Sequence, residues 1–156
     1  MHPQKKAVAV LMGSDSDKPV MKKCTEMLDF FQISHEDHIL SAHRQPKELD
    51  AFAGAAEERG IRVIIAGAGM AAALPGALAA RTIIPVIGVP LEASPLAGKD
   101  SLYSIVQMPP GIPVATVAIG AAGAINAAVL CAEILALDDH DLAMRLKKFK
   151  AAGSKL

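Results

Sequence analysis

Apolar side chains along the chain fall into two alternating kinds of run. Short runs rich in Val, Ile and Ala have the length and composition of buried strands. Between them, apolar residues recur at three- and four-residue spacing, which is typical of a helix with one buried face. The short runs predict strands over residues 7–12, 36–40, 62–66, 84–89 and 113–119. The longer patterns predict helices over residues 17–31, 46–59, 75–81, 101–107, 121–137 and 139–151.

The alternation of strands and helices predicts βαβ units, in which right-handed crossovers join parallel strands. We therefore expect a doubly wound, five-stranded parallel sheet of the flavodoxin or Rossmann type, followed by a C-terminal helix. The length of 156 residues fits one domain, over residues 1–156, that can bury a core without disulfides. Hydrophobic residues make up 52% of the chain and aromatic residues only 3%. The core must therefore consist of aliphatic and small side chains, which let helices pack closely on the sheet.

Charge and composition argue against several classes of protein. The 16 basic and 16 acidic residues give a net charge of zero, so no electrostatic footprint for nucleic acid or an anionic membrane is visible. Polar residues interrupt the apolar run over residues 115–137, which favours a strand and a buried helix over a membrane span. The run over residues 7–12 is too short for a signal peptide, and Gly13 ends it. We expect a soluble, cytoplasmic protein with Cys24 and Cys131 as reduced core thiols.

Ligands of doubly wound sheets bind beyond the carboxyl ends of the strands, so the loops that follow the strands are where chemistry is expected. The first loop, residues 13–17, reads Gly-Ser-Asp-Ser-Asp, and the second, residues 41–44, reads Ser-Ala-His-Arg. The third, residues 67–76, is built almost wholly from small residues. The fourth, residues 90–94, contains Glu92. We expect these four loops to meet at one edge of the sheet.

The first loop places hydroxyls and carboxylates just before a helix. Backbone N–H groups at a helix start suit a phosphate, and the hydroxyls of Ser14 and Ser16 add donors. Asp17 can accept hydrogen bonds from ribose hydroxyls. The alternative is plain helix capping by Ser16 or Asp17. The loop is not a P-loop, because the Gly-Lys-Ser/Thr ending is missing.

The second loop contains the best candidates for proton transfer and phosphate binding. His43 can give and take a proton near neutral pH, and the guanidinium of Arg44 can bind a phosphate through two hydrogen bonds. The alternative is a loop histidine beside a surface arginine, but the position at the functional edge favours the enzymatic role. Ser41 does not suggest an acyl-transfer triad, because no G-x-S-x-G elbow is present. His35 and His38 should point to opposite faces of a strand, which does not suit a metal site.

The third loop matches G-x-G-x-x-A over residues 67–72, a weak signal for NAD or FAD, and Glu92 follows the next strand as a ribose-binding acid would. However, the motif follows the third strand rather than the first, and the next helix is expected to begin only near Pro75. We therefore expect these small residues to form a wall against which a flat substrate lies.

Six segments together resemble the PurE family of purine biosynthesis, the N5-carboxyaminoimidazole ribonucleotide mutases. They read GSDSD, SAHR, AGAG with LPG, PVIGVP, DSLYSIVQMP and GIPVATVAI, and the likeness extends over about residues 7–137. Several motifs in the right order are more specific than any one loop. The resemblance implies a three-layer α/β/α fold and an octamer. It also implies transfer of a carboxyl group from the exocyclic nitrogen of an aminoimidazole ribonucleotide to ring carbon C4.

Carried over by motif, the resemblance implies that His43 is the general acid/base, acting on a substrate and on carbon dioxide held nearby. Gln107, Met108 and Pro109 would approach the substrate from a neighbouring subunit. No metal, ATP or organic cofactor is implied. Ser14, Asp17 and Arg44 would bind the ribose phosphate. The candidate substrate-binding residues are Ser14, Ser16, Asp17, Ser41, Arg44, Gly69, Ala73 and Leu74.

The third loop departs from the family's usual sequence, Gly-Gly-Ala-Ala-His-Leu-Pro-Gly. Met70 stands in place of the second glycine and Ala73 in place of the histidine. The chain is then either a mutase that tolerates the change or similar to the sister branch, which carboxylates aminoimidazole ribonucleotide directly with carbon dioxide. Residues 101–109 resemble the mutase branch. A non-catalytic nucleotide-binding paralogue is a third alternative, which the retention of His43 and Arg44 argues against.

The two C-terminal helices bear on assembly. The predicted helix over residues 121–137 is apolar nearly all round, so we expect it to be buried, between subunits if the octamer forms. The charged helix over residues 139–151 is either a solvated end or an arm onto a neighbour, and the sequence leaves both open.

Overall fold

Strands and helices alternate along residues 7–155, which are the part of the chain that the computed structural model describes. Residues 1–6 and residue 156 lie outside the described residues. The strands are β1 (Val8–Met12), β2 (His35–Ile39), β3 (Val63–Gly69), β4 (Val86–Leu91) and β5 (Ala115–Thr116). The helices are α1 (Lys18–Phe30), α2 (Pro46–Ala56), α3 (Ala73–Ala79), α4 (Lys99–Val106), α5 (Ala121–Leu135) and α6 (His140–Ala151), and a 3₁₀ turn (Asp15–Asp17) precedes α1.

The strands form one parallel sheet in the order β2-β1-β3-β4-β5. In β1, Val8 lies opposite His35 on one side and Val63 on the other. The chain thus winds outward in both directions from β1 and β3, and the loops that follow these two strands diverge to leave a crevice. The predicted doubly wound, flavodoxin-like α/β fold is confirmed.

Alternation of side chains along the strands divides the core into two layers. In β1, Val10 and Met12 pack into a core that contains α1, α5 and α6. Ala9 and Leu11 pack into the opposite core, with α2, α3 and α4. Both faces of the sheet are therefore covered, which explains why its central strands are apolar throughout.

Helix α6 folds back onto its own chain. Leu146 and Phe149 are buried against α1 and α5, and the Phe149 ring meets the Phe31 ring edge-on with centroids 5.2 Å apart. The Nε–H of Arg145 donates to the carbonyl oxygen of Phe31 at 2.9 Å, which satisfies a backbone acceptor at the end of α1. One face of α6 thus packs on its own subunit while the other is exposed, and contact of α6 with a neighbour stays a prediction.

Helix α5 is buried on one face within its own subunit, and burial of its other face between subunits stays a prediction. Ala124, Ala128 and Cys131 lie in the core, whereas Ala121 and Asn126 are exposed. The expected reduced core thiols are confirmed, because Cys24 and Cys131 are both free and fully buried. Burial raises the pKa of both thiols above the ordinary value, that of Cys131 to about 12. Both therefore remain protonated and unreactive at neutral pH.

Two element boundaries differ from the prediction in ways that affect the site. Strand β3 continues to Gly69, because Gly67, Ala68 and Gly69 pair with β4. Helix α3 begins at Ala73 rather than near Pro75. Both glycines of the G-x-G-x-x-A match thus belong to a strand, where they cannot form a dinucleotide-binding turn.

The last strand is shorter than predicted. Only Ala115 and Thr116 of the apolar run pair with β4 as a strand. The N–H groups of Val117 and Gly120 still donate to the β4 carbonyl oxygens of Gly88 and Pro90, at 3.2 and 2.9 Å. Within residues 7–155, no helix has the length and apolar composition needed to cross a membrane.

Candidate active site

A cavity of about 430 Å³ opens at the carboxyl edge of the sheet, between the loops that follow β1, β2 and β3. The structure brings together in it His43 and every predicted substrate-binding residue. These are Ser14, Ser16, Asp17, Ser41, Arg44, Gly69, Ala73 and Leu74.

Hydrogen bonds within the first loop fix its shape. The side-chain oxygen of Ser14 accepts from the backbone N–H of Ser16 at 3.3 Å and from the Ser16 hydroxyl at 3.0 Å. The backbone N–H of Ser14 donates to Oδ2 of Asp17 at 3.1 Å. Ser14 thus caps the 3₁₀ turn, with Asp17 as its reciprocal partner. The sequence assigned capping to Ser16 or Asp17 and missed Ser14.

Capping leaves Ser14 able to bind a ligand. A hydroxyl has two acceptor lone pairs and one proton, and Ser14 uses its oxygen only as an acceptor in the bonds above. Its O–H proton is therefore available to an acceptor in the cavity. The two interpretations of this loop, capping and ligand binding, are compatible.

Asp17 is the buried acid of the cavity, with 8% of its surface exposed. Burial raises the pKa of its carboxyl group above the ordinary value, although hydrogen bonds from the N–H groups of Ser14 and Gly13 act in the opposite direction. A carboxylate in such a place is under-solvated, and a ligand that offers it hydroxyl donors would stabilise it.

The second loop is a closed turn that presents its side chains outward. The N–H of Ser41 donates to the Gln45 side-chain oxygen at 3.2 Å, and the N–H of Gln45 donates to the Ser41 carbonyl at 2.9 Å. The hydroxyl of Ser41 also accepts from the N–H of Arg44 at 3.3 Å. Ser41 therefore shapes the turn. His43 and Arg44 are exposed on it, and their side chains form no hydrogen bond or ion pair with any other residue between 7 and 155.

The third loop supplies an apolar wall. Ala72 and Leu74 are buried, Ala73 is partly buried, and Met70 is exposed. Two residues of this loop have left-handed backbone conformations, Met70 with φ 55° and Ala72 with φ 39°. The predicted wall of small residues is therefore present, with one long apolar side chain at its tip.

Sequence reasoning missed one contributor from the fourth loop. Ala93 lines the cavity beside Gly69, and a Cβ atom on Gly69 would lie 2.5 Å from the Cβ of Ala93. Glycine at position 69 thus allows the fourth loop to reach the cavity. The other lining residues, which were not among the predicted substrate-binding residues, belong to the predicted loops: Gly13, Ala42, Ala68, Met70, Ala71 and Ala72.

The segment predicted to reach a neighbouring subunit does not line this cavity. Gln107 and Pro109 are exposed, and Met108 lies beside α3, within 3.0 Å of the position that a Cβ on Gly76 would occupy. These three residues do not line the cavity of their own subunit. Their predicted contact with the substrate of a neighbouring subunit stays a prediction.

The histidines of β2 lie on opposite faces of the strand, as predicted. His35 bonds Asp29 of α1 at 3.1 Å and Asp37 at 2.9 Å. His38 bonds Glu36 at 2.8 Å and packs against Phe52 of α2. Neither ring lines the cavity described above, which leaves His43 as the histidine of the site.

Comparison with known proteins agrees with this arrangement. The family model described as AIR carboxylase matches residues 7–155. The chain belongs to the AIR carboxylase family. Over 143 residues it is 57% identical to N5-carboxyaminoimidazole ribonucleotide mutase of Pyrococcus abyssi (strain GE5 / Orsay), covering 92% of this chain and 81% of that protein. Over 145 residues it is 54% identical to the N5-carboxyaminoimidazole ribonucleotide mutase of Escherichia coli (strain K12), covering 93% of this chain and 86% of that protein.

A solved structure has the same fold. The crystal structure of Treponema denticola PurE superposes with a TM-score of 0.83 and 30% sequence identity, covering 94% of this chain and 90% of that one. The predicted membership of the PurE family is thus confirmed.

Proposed function

We propose that this chain converts N5-carboxyaminoimidazole ribonucleotide to 4-carboxyaminoimidazole ribonucleotide, a step of purine biosynthesis. Family membership and the names of its relatives support the reaction. One observation carries the assignment to this site. A single cavity combines hydroxyls, a buried acid, a cation and an apolar wall with a histidine that has no polar partner between residues 7 and 155.

The polar side of the cavity suits the ribose phosphate. Arg44 has no acidic partner among the described residues, so its guanidinium is free to bind a phosphate through charge-assisted hydrogen bonds. The hydroxyls of Ser14 and Ser16 add donors beside it. Asp17 accepts hydrogen bonds from ribose hydroxyls, which offset the desolvation that raises its pKa. Ser41 acts indirectly, because it holds the turn on which Arg44 lies.

His43 performs both proton transfers. The bond between the exocyclic nitrogen and its carboxyl carbon breaks, releasing carbon dioxide, and the nitrogen takes a proton from His43. Ring carbon C4, now electron-rich, attacks the carbon dioxide and forms the new carbon–carbon bond. His43 then removes the proton from C4, which restores the aromatic ring and the protonated histidine together.

The apolar wall serves the intermediate stage of this reaction. Carbon dioxide needs no hydrogen bonds, and a cavity side built from Ala72, Ala73 and Leu74 offers few sites for competing water. Holding the gas close to C4 makes its capture effectively intramolecular. Gly69 lets the wall and the fourth loop approach each other closely.

Two parallel assays test the function. One presents N5-carboxyaminoimidazole ribonucleotide, and the other presents aminoimidazole ribonucleotide with bicarbonate. We expect rapid formation of 4-carboxyaminoimidazole ribonucleotide in the first and slow formation in the second. Efficient turnover in the second alone would identify a direct carboxylase. No turnover in either assay would indicate a non-catalytic nucleotide-binding protein.

The wider setting is part of the same proposal. The chain is one PurE-like domain over residues 1–156, acts in the cytoplasm and assembles into an octamer. In that octamer Gln107, Met108 and Pro109 of one subunit reach the cavity of the next. The reaction as written uses no metal or organic cofactor. Mass measurement in solution tests the octamer, and a monomeric mass would count against it.

A further inference from the structure

The tip of the turn between β3 and α3 combines a strained backbone with a long apolar side chain. Met70 has φ 55°, in the left-handed backbone region that residues other than Gly, Asn and Asp rarely occupy. Its side chain is also 60% exposed, although methionine is usually buried. Both features are unfavourable for the folded chain alone, and together they call for an explanation.

The turn itself does not require methionine. The N–H of Ala72 donates to the carbonyl of Gly69 at 3.0 Å, which places Met70 and Ala71 at the centre of a four-residue turn. Met70 has a positive φ and Ala71 does not, the pattern of a type II′ turn, in which glycine is favoured at the first central position. Ala72 is held in its own strained conformation by burial, but no such packing holds Met70.

The cavity gives Met70 a partner. Met70 lines it together with Ala71, Ala73 and Ala93, so this side carries no side chain that forms hydrogen bonds. A thioether side chain has three rotatable bonds and a polarisable sulfur, which allow it to adapt to a flat ring. We propose that Met70 covers the bound aminoimidazole ring and retains carbon dioxide between its release from nitrogen and its capture by C4.

This proposal rests on the proposed function and adds a residue that determines how the reaction partitions. Met70 forms no bond and moves no proton in it. It blocks the path by which carbon dioxide leaves and water enters. Its length beyond Cβ is therefore what matters, and the positive φ that the turn imposes on it is a cost that glycine would avoid.

Three substitutions separate the length of the side chain from the strain of the backbone. Met70→Leu keeps both an apolar reach and a Cβ, Met70→Ala keeps only the Cβ, and Met70→Gly keeps neither. Each is given N5-carboxyaminoimidazole ribonucleotide in buffer with ¹³C-bicarbonate and carbonic anhydrase, and the ¹³C fraction of the product is measured by mass spectrometry. Thermal stability is measured in parallel.

We expect the labelled fraction of the product to rise several-fold in the alanine and glycine variants and to stay near the native value in the leucine variant. Thermal stability should instead rise only in the glycine variant, because only glycine relieves the positive φ. A native-like labelled fraction in Met70→Ala would overturn the proposal, as would full exchange of label by the native protein.

A second measurement does not depend on turnover. Hydrogen peroxide oxidises exposed methionines, and Met144 on α6, 42% exposed, is an internal control outside the cavity. Aminoimidazole ribonucleotide should slow sulfoxide formation at Met70 and leave Met144 unchanged. Equal oxidation with and without the nucleotide would overturn the proposal. Protection of Met70 in a protein without mutase activity would keep the placement of Met70 and refute the proposed function instead.

Discussion

Two histidine–arginine pairs have different surroundings: His38 with Arg59, and His43 with Arg44. His38 on β2 bonds Glu36 at 2.8 Å, and Arg59 contacts the same carboxylate oxygen. The Phe52 ring packs against His38, with ring centroids 5.1 Å apart. By contrast, the side chains of His43 and Arg44 have no polar partner within the described residues.

The difference separates structural charge from functional charge. His38 and Arg59 already share the carboxylate of Glu36 and contact the ring of Phe52. The side chains of His43 and Arg44 have no such partner among the described residues, and the acid of their own cavity, Asp17, accepts from a backbone N–H instead. Residue type alone does not distinguish the two pairs, whereas their partners do.

The largest expected difference between the two pairs is in kcat, when each histidine is replaced. Replacing His43 by Asn should lower kcat by about 10²–10⁴-fold, because a general acid/base is lost while a polar side chain of similar size remains. The matched change His38→Asn should leave kcat nearly unchanged. Steady-state kinetics with N5-carboxyaminoimidazole ribonucleotide measures both. Equal losses in the two variants would show that the effect is structural.

The second largest expected difference is in nucleotide affinity, between variants of Arg44 and Arg59. Arg44→Met should weaken nucleotide binding by about 10–100-fold, since hydrogen bonds to charged groups contribute about 1.5–3 kcal/mol. Arg59→Met should not change the Kd, although it removes the cation from Glu36 and the contact with Phe52. Titration calorimetry with aminoimidazole ribonucleotide decides between them. Unchanged affinity in Arg44→Met would show that Arg44 does not bind the phosphate.

Substitution of Asp17 tests whether the buried acid binds the ribose, and the same substitution at the exposed Asp15 of this turn is the control. Asp17→Asn keeps an oxygen for the N–H of Ser14 but weakens acceptance from ribose hydroxyls, so affinity should fall by about tenfold, the equivalent of roughly 1.4 kcal/mol. Asp15→Asn should leave affinity unchanged.

The same variant has a predicted dependence of stability on pH. Burial raises the pKa of Asp17 in the folded state, so its contribution to stability is present below the ordinary aspartate value and is lost as pH rises through the raised value. Asp17→Asn lacks this loss, and its Tm relative to the native protein should therefore increase from acidic to neutral pH. A constant difference in Tm would contradict the assignment of the raised pKa.

The smallest effect concerns the ion pairs of β2. Burial raises the pKa of Glu36, but the hydrogen bond from His38 and the charge of Arg59 outweigh it and leave the pKa below the ordinary value. The stabilisation is thus present at neutral pH and is lost as pH falls through the lowered value. Glu36→Gln should reduce the unfolding free energy by about 0.5–1 kcal/mol at pH 7 and by less in acid, with no change in kcat. Denaturant unfolding at the two pH values measures this.

The sequence was sufficient to predict the sheet and the meeting of its loops, because apolar spacing and strand order decide both. It could not predict that β3 continues through Gly67 and Gly69. Glycines indicate a turn locally, and only pairing with β4 keeps them in a strand. The docking of α6 through Phe149 and Arg145 was likewise invisible, since it depends on contacts with residues over a hundred positions away.

Within the site, motifs located His43, Arg44 and Asp17. The sequence could not show that His43 and Arg44 have no polar partner among the described residues, or that Asp17 accepts from the N–H of Ser14, because both depend on how the loops fold. The strain at Met70 was also beyond the sequence, because φ is set by the turn between Gly69 and Ala72. Composition indicated the small-residue wall correctly and gave no sign of the contribution of Ala93.

The contrast between His43 and His38 can be observed in one experiment, by following both rings while the nucleotide binds. Proton–carbon spectra of the protein labelled with ¹³C-histidine, assigned with His43→Asn and His38→Asn, would be followed during titration with aminoimidazole ribonucleotide. If His43 acts on the bound nucleotide, its ring signal should shift saturably and the His38 signal should not shift. A shift confined to His38, or no shift at His43 at saturation, would contradict this role of His43.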